Sequence, residues 1–164
     1  MDVKELKSHL NNYESDSPCM KSDLTKVTLP LFVLYDKLLT TINKMLHEKY
    51  KLTNTEIDVL SSLRHSDSGE YKLSPTKLYE RLLFSSGGMT KVLKKLENKN
   101  YIKRLNNPDD GRSKLVQLTQ SGEDILVEAI NDIIIMEEDM FNHLDKEDRE
   151  GLSRLLFKAL EPPL

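Results

Sequence analysis

Residues 73–119 read LSPTKLYERLLFSSGGMTKVLKKLENKNYIKRLNNPDDGRSKLVQLT. Ser74 is a good helix cap, and Pro75 suits the first helical position, where no N–H is needed. Leu73 and Leu78 are spaced for a hydrophobic staple across that start. The pattern predicts a short helix ending near Leu83. Ser85 or Ser86 then caps a second helix. On it Met89, Val92, Leu93 and Leu96 recur at helical spacing and form an inward face. By the same period, Ser86, Gly88, Thr90, Lys91, Lys94 and Lys95 fall on the remaining surface. Residues 101–105 and 114–118 are short enough for strands, and NNPDDGRS between them is rich in turn formers.

Helix, turn, helix and hairpin in that order form a winged helix-turn-helix. The layout seats its second helix in a DNA major groove. Charge agrees. From Lys72 to Lys114 there are 11 Lys and Arg against four acids, a net charge of +7 in a chain of net charge −3. A basic segment inside an acidic protein is the electrostatic footprint of a phosphate-binding face. Gly87 and Gly88 each cost the second helix about 1 kcal/mol relative to Ala. Close approach of a DNA strand would offset that cost, and so would tight packing on the preceding helix.

The flanks are helical in pattern. Residues 1–21 read as a polar N-terminal arm with one amphipathic piece (Val3, Leu6, Leu10) and a break over Ser15 to Pro18. In residues 22–50, Leu31, Leu34, Leu38, Ile42, Met45 and Leu46 share one face. Pro30 kinks this helix or marks its first turn. Residues 53–63 predict another helix, with Thr53 and Glu56 as a capping box. Thr119 caps a long helix running to about His143. Asp145 caps a last one carrying Leu152, Leu155, Leu156 and Leu160, which Pro162 and Pro163 stop. These outer helices carry more apolar side chains than one small winged domain can cover. Two copies sharing them would bury the excess and set two reading helices about one DNA turn apart.

With 164 residues, 31% charged, the chain predicts a helix-rich protein able to bury a core. No apolar run approaches the roughly 18 residues of a membrane span, and MDVKELKSHLNN has no secretory h-region. One cysteine, Cys19, excludes an internal disulfide framework and fits a reducing, cytoplasmic setting. Its surroundings, SDSPCMKSD, do not single it out as an activated thiol. His9, His47, His65 and His143 lack metal-ligand spacing, so no metal is expected. No nucleophile–base pairing or phosphate-cradling glycine loop supports catalysis, and neither a catalytic residue nor a cofactor is expected.

Ser and Thr on the second helix can bond base edges or phosphate, and Thr90 offers a methyl to thymine. Lys91, Lys94 and Lys95 suit phosphates or guanine. A solvated lysine surface explains them equally well until the flanking helix and hairpin are counted. At the hairpin tip, Arg112 suits a narrow minor groove. Asp110 can hold its guanidinium in a fixed fork; the plainer alternative is an Asx-turn beside a surface ion pair.

The stretch resembles the MarR family of bacterial transcription regulators. Matching pieces are Leu96-Glu97, Ile102-Lys103-Arg104, Asp110-Gly111-Arg112 and Leu118-Thr119-Gln120-Ser121-Gly122, on a recognition helix rich in small residues. The resemblance covers about residues 24–160. It implies a mainly α fold with a small β-wing, an α+β class. Residues 53–119 are then the winged helix-turn-helix of a domain spanning residues 22–164. Residues 22–50 and 120–161 are helices of a homodimer on a pseudo-palindromic site in double-stranded DNA. The implied DNA contacts are Ser85, Ser86, Gly88, Thr90, Lys91 and Lys94, with Arg112 in the minor groove, oriented by Asp110. Arg104 and Lys114, on the two strands, join this set. The implied role is a repressor released by a small-molecule effector or an oxidant, with no membrane partner. Gly111 stands where many members carry a basic residue, which predicts a weaker wing. Asn100 replaces the usual Gly, and Asn tolerates the left-handed turn required there. The competing reading is a winged helix that binds protein instead of DNA; the +7 segment disfavours it.

Overall fold

Ser74 turns the chain into a helix by two bonds. Its hydroxyl accepts the Lys77 N–H at 3.2 Å, and its carbonyl accepts the Leu78 N–H at 3.1 Å. Leu73 and Leu78 are both buried there, as the staple spacing predicts. The structure, a computed structural model, describes residues 3–16, 24–66, 69–82, 86–108 and 110–161, with only the backbone of residues 11–16, 86, 87 and 110–112. Its elements are α1 (Val3–Asp16), α2 (Thr25–Tyr50), α3 (Asn54–Arg64), β1 (Lys72–Leu73), α4 (Pro75–Leu82), α5 (Ser86–Asn98), β2 (Ile102–Asn107), β3 (Asp110–Leu118), α6 (Gln120–Phe141) and α7 (Lys146–Leu160). The three strands make one antiparallel sheet in the order β1-β3-β2. No described helix is long and apolar enough to cross a membrane.

The chain divides into two compact units, Met1–Asn54 and Thr55–Leu164. In the first, α1 packs on α2 with Leu6 buried. The polar arm thus contains a helix of 14 residues. Pro30 lies inside α2, beyond its first turn, so it does not mark the helix start. Lys51 ends α2 in a left-handed conformation, φ 55°, and the Leu52 N–H reaches the Leu46 carbonyl at 3.2 Å.

In the second unit the core forms from the apolar faces of α3 (Ile57, Val59, Leu60, Leu63), α4 (Leu78) and α5 (Met89, Leu93, Leu96), all 2% exposed or less. Each such side chain contributes about 1.5–3 kcal/mol relative to leaving it in water. The Arg81 guanidinium, from α4, donates to the carbonyls of His65 at 3.2 Å and Ser62 at 3.4 Å, satisfying groups at the C-terminal end of α3.

The hairpin exceeds its expected length. The ladder runs from Ile102↔Leu118 out to Asn107↔Asp110, with a register shift between Asn106 and Asn107. Much of the turn-rich stretch is therefore strand, and the Asn107 amide donates to the Ser113 hydroxyl at 2.8 Å across it. β1 is a further strand that the sequence does not announce. Only Lys72 and Leu73 take part, opposite Gln117 and Val116, and two residues show no alternation to read.

Asn100 adopts φ 59°, the left-handed turn expected of it. There the Asn100 N–H bonds the Glu97 carbonyl at 2.9 Å and the Tyr101 N–H the Leu96 carbonyl at 3.0 Å, closing α5. Thr119 caps α6 by accepting the Gly122 N–H at 3.0 Å, while its own hydroxyl donates to the Asn100 carbonyl at 2.7 Å. A side chain at Gly122 would overlap the Tyr101 carbonyl oxygen and crowd Leu118. Asp145 caps α7 by accepting the Asp148 N–H at 2.8 Å. Along α7 no residue is buried.

Gly122→Ala should destabilise the protein by about 3 kcal/mol, because backbone rather than a movable side chain occupies the space. A denaturant-unfolding midpoint equal to wild type would contradict this.

Candidate nucleic-acid interface

α5 has two sides because its apolar residues repeat at three and four. Met89, Leu93 and Leu96 are buried, whereas Gly88, Thr90, Lys91, Lys94 and Asn98 are exposed. Lys91 and Lys94 carry their charges on the exposed side, and neither has an acidic partner among the described residues. Ser86 begins the helix. Ser85 lies outside the described residues.

Lys95 departs from the sequence reading. The helical period groups it with the outward lysines, but its ammonium turns to α3, 2.9 Å from Glu56 Oε1 and 3.1 Å from Oε2. The Glu56 side chain is 2% exposed. A carboxylate so deeply buried needs a cation close by. The capping-box spacing of Glu56 marks its helical position but not this partner, 39 residues along the chain. Lys99, one turn after Lys95, also belongs to this flank. Burial pushes its ammonium below the ordinary lysine range; Glu56 opposes the shift and Lys95 adds to it. Its Nζ lies 5.9 Å from the centroid of the Tyr101 ring.

The strands carry further cations. Arg104, on β2, gives its Nε–H to Glu97 on α5 at 3.1 Å, which ties the wing to the end of α5. Lys114, on β3, donates to the Asn106 side chain across the hairpin. Lys72 pairs with Glu70. Asp110 and Arg112 stand on β3 at the far end of the ladder; Asp109 lies outside the described residues. The sequence thus places α5 and the wing correctly, but it does not reveal that Glu56 and Glu97 occupy cations of the basic segment. The capping-box spacing of Glu56 and the Leu96-Glu97 match name no partner for either. Their partners are set by how α3 and β2 meet α5.

A second exposed feature lies on the outer helices of this unit. Between α6 and α7 runs an apolar groove of about 460 Å³, lined by residues including Phe141, Leu152, Leu156, Phe157 and Leu160. Phe157 and Leu160 are 70% and 80% exposed. Ile134 and Ile135 on α6 are exposed as well.

Residues 41–133 match the family described as transcriptional regulator SarA/Rot. The chain is 29% identical to the HTH-type transcriptional regulator MhqR of Bacillus subtilis, over 81% of this chain and 91% of that protein. It is also 29% identical to the HTH-type transcriptional regulator PecS of Dickeya dadantii, over 66% of this chain but only 64% of PecS. Its fold superposes on apo MarR from E. coli with a TM-score of 0.70 at 25% identity, covering 82% of this chain and 96% of MarR. A mutant MarR complexed with operator DNA gives a TM-score of 0.63 at 27% identity, over 85% of this chain and all of the other. With α5, the wing and these matches together, the chain belongs to the SarA/Rot family of transcriptional regulators and carries the DNA-binding winged helix-turn-helix of the MarR type.

Proposed function

We propose that this regulator acts by binding rather than catalysis: a homodimer reads a pseudo-palindromic duplex, with α5 of each copy in a major groove and the wing in the flanking minor groove. The observation that carries the reading is the exposed face of α5, where Lys91 and Lys94 stand without acidic partners among the described residues. A protein-binding wing has no use for such a charge excess. Ser85, Ser86, Gly88, Thr90, Lys91 and Lys94 are the proposed contacts from the helix. Arg112, with Asp110 orienting it, is the proposed contact from the wing, and Arg104 and Lys114 support the backbone. The operator-bound MarR structure supports the placement by likeness of fold.

Homodimerisation is supported by the unburied apolar side chains of α6 and α7. An apolar face this exposed marks an interaction surface. A second copy offers the same face in return, as a two-fold interface requires. Repression, relieved by a small ligand or an oxidant, completes the proposal on the strength of the resemblance; Cys19, the one thiol, lies outside the described residues.

Three outcomes are expected. Lys91→Ala should reduce the slope of log affinity against log salt by about one, with affinity falling similarly on every duplex. Arg112→Ala should weaken binding to the selected site by about 1–3 kcal/mol while leaving thermal unfolding unchanged. Phe157→Glu should shift the sedimentation equilibrium from dimer toward monomer, and a dimer of unaltered strength would place the interface elsewhere.

A further inference from the structure

The geometry points to Glu56 as a positioning residue for DNA recognition. Through Lys95 its buried carboxylate fixes the rotation of α5 about its own axis, and so the direction in which Thr90, Lys91 and Lys94 leave the helix. This rests on the reading of α5 as the helix that enters the groove.

The apolar face of α5 cannot do this alone. Met89, Leu93 and Leu96 are buried, but apolar contact is non-directional. At a side-chain radius of about 6 Å, a 20° roll moves a contacting group by about 2 Å. That displacement exceeds what a hydrogen bond tolerates, whether to Glu56 or to a base edge.

Lys95 occupies the place where a directional bond would resist such a roll. By the 3.6-residue period it lies between Gly88 and Lys91 around α5, one turn after Lys91 and one turn before Lys99. Periodicity therefore puts it on the exposed side with Gly88, Lys91 and Lys94, away from the buried line of Met89, Leu93 and Leu96. Half of the Lys95 side chain is exposed, at 49%, yet its ammonium is directed onto a carboxylate that is 2% exposed. A lysine at a surface normally sends its charge to water. Here the charge goes inward, and both carboxylate oxygens hold it, at 2.9 and 3.1 Å. Glu56 sits on α3, whose neighbouring side chains Ile57, Val59 and Leu60 are buried. The anchor is therefore part of the core and does not move with the surface.

The test measures binding to two probes, by fluorescence anisotropy across a salt series. One is a duplex that the wild-type protein selects from a random pool, and the other is a mixed-sequence duplex. The Glu56→Gln/Lys95→Met double variant keeps the net charge and leaves neither charge to bury. Its affinity for the selected duplex should fall about tenfold, the scale of one mismatched base pair. Its affinity for the mixed duplex and its salt slope should stay at wild-type values. Glu56→Gln alone should lose a similar share of the ratio between the two affinities, and Lys95→Arg, which keeps a cation opposite Glu56, should preserve it. Circular dichroism and thermal unfolding confirm the fold of each variant; where Glu56→Gln fails to fold, the double variant decides.

An unchanged ratio in the double variant overturns the inference. So does Glu56→Gln tightening both duplexes with a salt slope steeper by about one, because Lys95 would then be a phosphate contact held back by Glu56. Equal losses on both probes overturn it as well, since they report general loosening. A wild type that selects no duplex removes the groove reading of α5, and this inference with it.

Discussion

The carbonyl of Tyr101 fixes four elements at one point. It accepts the Thr119 N–H at 3.0 Å, joining the start of β2 to the end of β3. Gly122, in the first turn of α6, lies so close to it that a Cβ would overlap the oxygen. One residue earlier, the Asn100 carbonyl takes the hydroxyls of Thr119 and Ser121 at 2.7 and 2.9 Å while Asn100 closes α5 with φ 59°. α5, both long strands and α6 thus leave from a cluster of short bonds and one close backbone approach. Displacing α6 relative to α5 would break several of these at once. The angle between α5 and α6 is therefore set locally.

Much of this is legible in the sequence because its causes are local. Ser74 with Pro75, Thr119 with Gly122, and Asp145 each combine a cap with a following helix, and each cap forms its expected bond. Met89, Leu93 and Leu96 repeat at helical spacing and are buried as a set. Asn100 stands where only a residue tolerant of positive φ fits. What stays hidden is non-local or too short to show a period. β1 is two residues long and exists only through β3. The length of the wing depends on pairing that turn-forming residues disguise. Periodicity assigns Lys95 to the outward lysines, and its direction is decided instead by a carboxylate on another helix.

The candidate interface shows the same division. A count of charges gives +7 over the basic segment, but the structure sorts those charges. Lys95 belongs to Glu56, Lys99 is partly withdrawn from solvent, Lys72 is paired with Glu70, and Arg104 is shared with Glu97. Lys91 and Lys94 remain outward. Sequence supplies the total, and folding decides which cations face out and which hold the domain together.

The Arg104–Glu97 pair has a thermodynamic corollary. Salt dependence counts the solution ions that DNA sheds when protein cations replace them. Arg104 already carries a carboxylate counter-ion of its own, at 3.1 Å. A phosphate that takes the guanidinium from Glu97 leaves a free carboxylate near the DNA, which recruits a solution cation and offsets one that the strand released. Were Arg104 such a contact, ionic-strength titrations would count fewer phosphate contacts than there are basic side chains making them.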